Sequence, residues 1–328
     1  MEMLVAMALG VIVVGGVAGV LASSSTIYKS SESRARIQEG SRFSLGIMQE
    51  DVRMSGHMGC FNYDLIPRRY SSIVKDGGFD GEYATRVVGY DAKSTGGFHV
   101  SLPDHIGQTG FKPVDGSDVL VVRVPTGKTL PVSDIMPTDE VPIPLGDATG
   151  LEADRMAVVS DCNYAVLFVM TNVPADKKIG HAANKNTQVS LGRTFRNDQG
   201  ASLTPVSSVA YFVAPAANGV AGNKSLYRQE GSQNAEEIAD GIEQMQVEYM
   251  VSPDMGEATP HRSYVTAANI GTAPVLAVRV QLLLKSQQDN VVATKQEVYF
   301  AGSLFKASDR RMYTPFSTTI SLRNQGLN

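Results

Sequence analysis

The stretch Met3–Ala22, MLVAMALGVIVVGGVAGVLA, decides the fold of this 328-residue chain. None of its residues is charged, and a helix of this length is about 30 Å long, which matches the hydrocarbon thickness of a bilayer. A buried core helix is disfavoured because no polar face interrupts the run. A signal peptide cleaved after Ala22 is the other alternative, although the length of the run and the acid at Glu2 are untypical of one. The stretch therefore predicts a helix that enters a membrane.

Two features of this helix indicate contacts with other chains. Glu2 lies at the edge of the apolar segment, where a carboxylate is costly unless it is paired or reaches the membrane interface. It could pair with the free amino terminus of a neighbouring subunit, or simply lie among the lipid headgroups. Gly15 and Gly19 form a small-xxx-small pair, a spacing that lets membrane helices approach closely, although glycine is common in such helices.

The helical pattern continues beyond the apolar stretch. Residues 23–56 are polar and amphipathic, and no proline interrupts them. One stripe of this segment is apolar and the other faces are charged, until Gly56 and Gly59 end the pattern. The sequence thus predicts one helix to about Ser55, with an apolar half over residues 1–22 and an amphipathic half over the remainder. The predicted stripe consists of Ser41, Leu45, Met48 and Val52, with Phe43 and Ile47 beside it.

Beyond residue 56 the pattern changes to β-branched and apolar runs separated by Gly and Pro, which is typical of strands and turns. Residues 57–328 are predicted to form one globular, predominantly antiparallel β-sheet domain, covered by the amphipathic half of the helix. The predicted fold class is therefore α+β. A second helix is predicted over Glu236–Met245, because Ile238, Ile242 and Met245 recur at helical spacing. The predicted strands cover 86–90, 118–124, 155–159, 165–171, 208–214, 246–251, 275–284, 296–300 and 316–322. The segments 66–84, 91–117, 125–154 and 172–202 are predicted as long surface loops.

Composition and motifs argue against several classes of function. The net charge is −4 and the sequence pI about 5.8, with no basic cluster longer than pairs such as Arg310-Arg311, so no nucleic-acid partner is expected. The chain contains no HExxH, GxSxG or Walker motif, and its five histidines are scattered. We therefore expect no enzymatic activity, no cofactor and no metal site.

The chain has two cysteines, Cys60 and Cys162. Neither belongs to a CxxC pair, so the spacing does not predict a zinc site. They are either one disulfide, closing a loop of about a hundred residues, or two unrelated buried thiols. Export to an oxidising compartment would favour the disulfide, which would staple the end of the long helix to the sheet.

A glutamate opens the apolar helix of this chain, and an amphipathic extension follows it. Further segments occur in order along nearly the whole chain: Glu2–Gly10, Gln38–Phe43, Asp51–Gly56, Met58–Cys60, Asp118–Arg123, Val159–Cys162, Ser225–Arg228, Gly241–Val247, Val278–Leu284 and Thr318–Asn324. Each segment is ordinary alone, and together they are fairly specific. The helix and these segments resemble the PilW-like minor pilins of type IV pili, within the type IV pilin and pseudopilin superfamily.

The resemblance implies a pilin-like fold and a minor pilin that helps to prime type IV pilus assembly at or near the pilus tip, with twitching motility and cell adhesion as the associated processes. The implied partners are other minor pilins, the major pilin, the inner-membrane assembly platform, the lipid bilayer and, in some systems, a tip adhesin. Glu2 matches the family glutamate that neutralises the amino terminus of an adjoining subunit.

The implied location is the bacterial inner membrane with the globular domain in the periplasm, and after assembly the extracellular pilus. Family members also carry a basic leader ending in glycine and an N-methylated aromatic first residue. Here Met1 directly precedes Glu2, so prepilin peptidase is expected as a partner only where a leader exists. A pseudopilin of a type II secretion system shares the same helix and is the main alternative, followed by a secreted binding module.

Overall fold

The computed structural model describes residues 2–75, 81–107, 110–173, 175–253 and 261–323. Asn324, the last residue of the segment Thr318–Asn324 named above, lies outside these ranges, as does Met1. The described residues form one long α-helix, three short 3₁₀ helices and seventeen strands. The helix α1 covers Glu2–Met54, and the 3₁₀ helices cover Pro67–Arg69, Asn197–Gln199 and Ala267–Asn269. The strands are β1 Tyr70–Ser72, β2 Val87–Tyr90, β3 Val119–Pro125, β4 Leu130–Pro131, β5 Ile143–Pro144, β6 Met156–Ser160, β7 Ala165–Val169, β8 Lys178–Ile179, β9 Ser202–Pro215, β10 Lys224–Glu230, β11 Glu236–Asp240, β12 Ile242–Val251, β13 Ser263–Val265, β14 Val275–Lys285, β15 Glu297–Phe300, β16 Ser303–Lys306 and β17 Tyr313–Ser321.

The helix α1 ends at Met54, one residue before the predicted end. Gly56 follows with a φ of +69°, a left-handed conformation that favours glycine. Its N–H donates to the carbonyl of Arg123 in β3 at 2.7 Å, and a Cβ at this position would lie 2.4 Å from Cγ of Arg86. The turn after the helix therefore both stops α1 and fixes its end against the sheet.

Two antiparallel-dominated sheets contain thirteen of the seventeen strands, so the α+β class is consistent with the structure. The larger sheet has nine strands, and six of them follow the order β1-β7-β6-β9-β10-β11. Of the other three, β3 and β4 also pair with the long strand β9, and β2 pairs with β3. The pair β1–β7 is parallel, and the other pairs of this sheet are antiparallel. The smaller sheet has the order β13-β12-β14-β17 and is antiparallel throughout. All nine predicted strands are present, with ends shifted by a few residues.

The helix predicted over Glu236–Met245 is wrong. This segment forms β11 and the start of β12, separated by Gly241 with a φ of +70°. A Cβ at this glycine would lie 2.7 Å from the carbonyl oxygen of Lys285. The helical spacing of the buried residues Ile242 and Met245 comes from a register shift just after Ile242, since a β-bulge turns two residues three apart toward the same face.

The surface-loop interpretation of segments 125–154 and 172–202 is only partly right. They contain the two-residue strands β4, β5 and β8 and bury apolar side chains against β6 and β7. This core could not be predicted from the sequence, because its apolar residues are scattered among Gly and Pro and recur with neither the strand period nor the helix period. The buried residues are Leu130, Val132, Met136, Ile143, Leu145, Ile179, Leu191 and Phe195.

One apolar core joins α1 to both sheets. Met48 of the helix packs in the same cluster as Leu120 and Tyr211 of the larger sheet and Met245 and Leu282 of the smaller sheet. Each of these side chains is almost completely buried. Burial of a large apolar side chain contributes roughly 1.5–3 kcal/mol, so this core fixes the second half of α1 where the two sheets meet.

Candidate functional site

The first half of α1 projects from the rest of the chain. Its described apolar side chains are exposed as far as Ile27 and Tyr28, and the first buried side chain of the helix is that of Ser33. We call residues 2–28 the projecting half. The described apolar residues within the stretch Met3–Ala22 that are exposed here include Met3, Met7, Leu9, Val11, Ile12, Val13, Val14, Val17, Val20 and Leu21. In the part of the chain that the structure describes, α1 is the one helix long and apolar enough to cross a membrane.

Glu2, Gly15 and Gly19 all lie on the projecting half, far from the sheets. Glu2 is exposed and forms no ion pair with the described residues. A Cβ added at Gly15 or Gly19 would meet no atom within 4 Å, so no described part of this chain packs against either glycine. Any partner of these three residues must therefore come from outside the described chain.

The second half of α1 and the residue that follows the helix, residues 33–55, lie against the sheets; we call this segment the docked half. Its buried stripe agrees with the predicted one at Ser41, Met48 and Val52, whereas Leu45 and Ile47 are only half-buried. Phe43 does not lie beside the stripe as predicted but is 56% exposed, at a groove of about 490 Å³ between α1 and the β11–β12 turn. The buried residues recur every three or four positions, as one face of a helix requires. They are Ser33, Ile37, Ser41, Ser44, Met48, Val52 and Ser55.

A polar cluster fastens the docked half to the larger sheet. Asp51 Oδ2 accepts a hydrogen bond from Arg228 Nε of β10 at 2.9 Å and another from the hydroxyl of Tyr211 in β9. Burial and the Asp51 carboxylate raise the pKa of Tyr211 well above its usual value, so the phenol keeps its proton and remains a donor. Because one carboxylate binds two neighbouring strands, the rotation of α1 about its axis is fixed.

The two cysteines form one disulfide, between Cys60 after α1 and Cys162 in the turn between β6 and β7. Their Cα atoms are 4.8 Å apart and both residues are exposed. Ser160 Oγ donates to the carbonyl of Met58 at 2.7 Å, so a hydrogen bond supports the same junction. The disulfide thus joins the end of the helix to the larger sheet.

A buried aspartate links the two sheets. Asp118, just before β3, accepts hydrogen bonds from the N–H groups of Ala92 at 2.8 Å and Val247 of β12 at 2.9 Å. Its own N–H donates to the carbonyl of Met245 at 2.9 Å. The pKa of Asp118 is raised to about 6, mainly because the carboxyl group is buried and in smaller part because Asp91 is near. The hydrogen bonds from the two N–H groups lower the pKa but do not offset the effect of burial.

We expect this aspartate to make stability depend on pH. Asp118 has a higher pKa in the folded protein, about 6, than in the unfolded chain, about 4, so the folded state binds the proton more tightly. Its contribution to stability is therefore fully present below about pH 4 and is lost as the pH rises through about 6. The free energy of unfolding of the wild type, relative to Asp118→Asn, should therefore fall by up to about 3 kcal/mol between pH 4 and pH 7. Urea titrations of the detergent-solubilised full chain at several pH values measure this difference.

The matched control for Asp118 is Asp147→Asn. Asp147 is exposed, and hydrogen bonds from Thr149 lower its pKa, so its effect on stability has the opposite sign with pH. A constant difference between the wild type and Asp118→Asn across this pH range would contradict the prediction.

The predicted site residues therefore separate into two groups. Glu2, Gly15 and Gly19 stay apart on the projecting half, and Cys60 and Cys162 meet at the base of the docked half. Sequence reasoning missed the contacts of Asp51 and of Asp118. Arg228 and Val247, their partners on β10 and β12, are more than 100 residues away along the chain, and no local pattern indicates such pairs.

Residues 210–324 match the sequence model of the PilW family, described as type IV pilus-assembly protein W. No curated protein and no solved structure matches the chain. The matched segment contains the last six residues of β9, together with β10 to β17, and so includes Arg228 and Val247. The match supports a PilW-like relationship and involvement in type IV pilus assembly, and it suggests an envelope location and contacts with other pilus components.

Proposed function

We propose that this chain is a minor pilin, a non-enzymatic subunit that helps to prime type IV pilus assembly and lies at or near the pilus tip. The observation that carries the proposal is the division of α1 into an exposed apolar half and a docked amphipathic half. About 30 Å of apolar helix that contacts nothing in its own chain needs lipid or other helices around it. The match of residues 210–324 to the pilus-assembly family supports the same conclusion.

In this proposal the projecting half first holds the subunit in the inner membrane, with the sheets in the periplasm. It then moves among the helices of neighbouring pilins, where apolar packing replaces lipid. Gly15 and Gly19 present a smooth surface for such a neighbour, because neither carries a side chain and both are unobstructed. Glu2 pairs with the amino terminus of an adjoining subunit, since a carboxylate in apolar surroundings needs a cation.

Deletion of the gene tests this function. We expect deletion to reduce surface pili and twitching strongly, the wild-type gene to restore both, and Glu2→Gln to restore them poorly, because the neutral amide cannot pair with an ammonium group. Glu39→Gln is the matched control, as Glu39 is an exposed glutamate on the docked half. Normal piliation in the deletion strain would overturn the proposal, and equal complementation by both variants would remove the role of Glu2.

A further inference from the structure

The outer edge of β17 is a free strand edge beyond Pro315. At the start of the strand, the N–H of Tyr313 donates a hydrogen bond to Oε1 of Gln296 at 2.6 Å, so that part of the edge is covered. β17 is the last strand of the smaller sheet, and in the described residues it pairs with β14 alone. The N–H of Leu322 donates to the carbonyl of Leu276 at 3.0 Å, which sets the alternation of the ladder so that even-numbered residues bond to β14. The backbone N–H and C=O groups of three residues therefore point away from the sheet. These residues are Ser317, Thr319 and Ser321, whose side chains are also exposed.

This edge lacks the protection found on another edge of the same protein. β11, the end strand of the larger sheet, has five residues, and three of them are acids: Glu236, Glu237 and Asp240. The end strands β1 and β13 have only three residues each. β17 has nine residues and no charged side chain, and its one blocking residue is Pro315. Since charges and short length are the usual means of preventing strand addition, β17 beyond Pro315 is open to a further strand.

A partly apolar depression of about 340 Å³ lies beside this edge, between the docked half of α1 and the beginning of β17. Phe316 lines it and, with Ile320, belongs to the residues of β17 that face the helix side. A strand added to β17 would present every second side chain to this side of the sheet. The depression would then receive one apolar side chain of that strand. Its lining residues include Ile37, Val292, Met312 and Phe316, with Arg34 and Gln38 at the helix.

We propose that the edge of β17 binds an extended segment of another pilus subunit by β-strand addition. Backbone hydrogen bonds to Ser317, Thr319 and Ser321 supply the affinity, and the depression beside Phe316 selects a segment with alternating apolar residues. The inference rests on the proposed function and deepens it, because it assigns the surface through which the subunit holds a partner outside the membrane.

The geometry favours a different polypeptide over a second copy of this chain. Antiparallel pairing of two β17 strands requires a two-fold axis perpendicular to the sheet, and such an axis reverses the direction of α1. The two projecting halves would then point in opposite directions and could not enter one membrane. Parallel pairing of two β17 strands about a two-fold axis would place each outward-facing residue directly opposite its own copy. In a parallel ladder, however, an outward-facing residue bonds to the residues before and after the one opposite it, so this pairing is also excluded.

Site-specific photo-cross-linking in piliated cells tests the proposal. A benzoylphenylalanine residue is placed in the full-length chain at position 317, 319 or 321, one at a time, and cross-linked peptides are identified by mass spectrometry. We expect cross-links to one segment of another pilus subunit, with attachment points that step by two residues from one position to the next. The control position is Ser303, which is exposed on the β15–β16 hairpin. Absent cross-links, scattered attachment points or attachment to a second copy would each overturn the proposal.

Thr319→Pro provides the matched variant. The N–H of Thr319 points away from β14, so proline removes a donor from the free edge and leaves the β14–β17 ladder intact. We expect an unchanged melting temperature and at least a tenfold loss of the cross-links from positions 317 and 321, while Thr319→Ser keeps them. Should proline lower the melting temperature, Thr319→Lys replaces it, because a charge protects an edge without removing a hydrogen bond. Cross-links that persist in the folded variant would overturn the proposal.

Piliation distinguishes this inference from the proposed function. If deletion of the gene reduces piliation and Thr319→Pro restores it fully, the edge is not a functional contact and the minor-pilin proposal stands. If deletion leaves piliation unchanged, the minor-pilin proposal fails whatever the cross-links show.

Discussion

The double variant Val13→Arg/Val17→Arg should be lost from the membrane fraction. Both valines are exposed on the projecting half and lie one helical turn apart, near the centre of the apolar stretch. An arginine at the centre of a membrane helix costs about 2.5–3.5 kcal/mol, so two of them oppose insertion by roughly 5–7 kcal/mol. An effect of this size lowers the insertion equilibrium by about four powers of ten.

Fractionation of cells, followed by a carbonate wash of the membranes, measures this effect. Gln38→Arg/Gln49→Arg is the matched control, because it adds the same charge at exposed positions of the docked half. We expect the control to remain in the membrane like the wild type. Retention of the Val13/Val17 variant would contradict a membrane role for the projecting half. A wild-type chain that is soluble and begins at Ser23 would instead support the signal-peptide alternative.

Removal of the disulfide should be the largest single loss of stability in the sheet region. Cys60 and Cys162 close a loop with a sequence separation of 102 residues. In the chain-entropy account a loop of this length stabilises the folded state by about 4–5 kcal/mol, because the cross-link restricts the unfolded chain. We therefore expect Cys60→Ser/Cys162→Ser to lower the free energy of unfolding by roughly that amount.

Urea unfolding of the detergent-solubilised full chain, with and without reductant, measures this loss. Reductant should destabilise the wild type to the level of the serine variant and leave the variant itself unchanged, which provides the internal control. Peptide mapping under non-reducing conditions should recover the linked peptides around Cys60 and Cys162. Equal unfolding midpoints for the oxidised and reduced wild type would show that the bond does not stabilise the fold.

The docked half of α1 shows why the sequence located elements better than contacts. The spacing of Ser41, Met48 and Val52 was sufficient to place the buried face, since helical period is a local property. Phe43 was misplaced because it follows Ser41 by two residues, which is about 200° around the helix axis and therefore away from the buried face. The neighbouring β11–β12 turn leaves a groove beside it.

The Glu236–Met245 segment illustrates the opposite limit. Apolar residues at i, i+4 and i+7 fit a helix, and only the pairing of the segment with β10 and β14 shows that it is extended. The strand ladders satisfy the backbone groups of both strands, and Gly241 provides the left-handed residue between them. The register shift just after Ile242 then put Ile242 and Met245 on the same face of β12, and this spacing of three residues imitates a helix.

The sequence by itself determined the apolar stretch of Met3–Ala22, the long helix and the β-rich remainder, because length, hydropathy and period are encoded within short segments. Only the tertiary structure decided that Asp51 meets Arg228, that Asp118 joins the two sheets and that β17 is left as an open edge. These contacts depend on the order and register of strands far apart in the chain. Register is set by the packing of all the strands together, and no single strand contains that information.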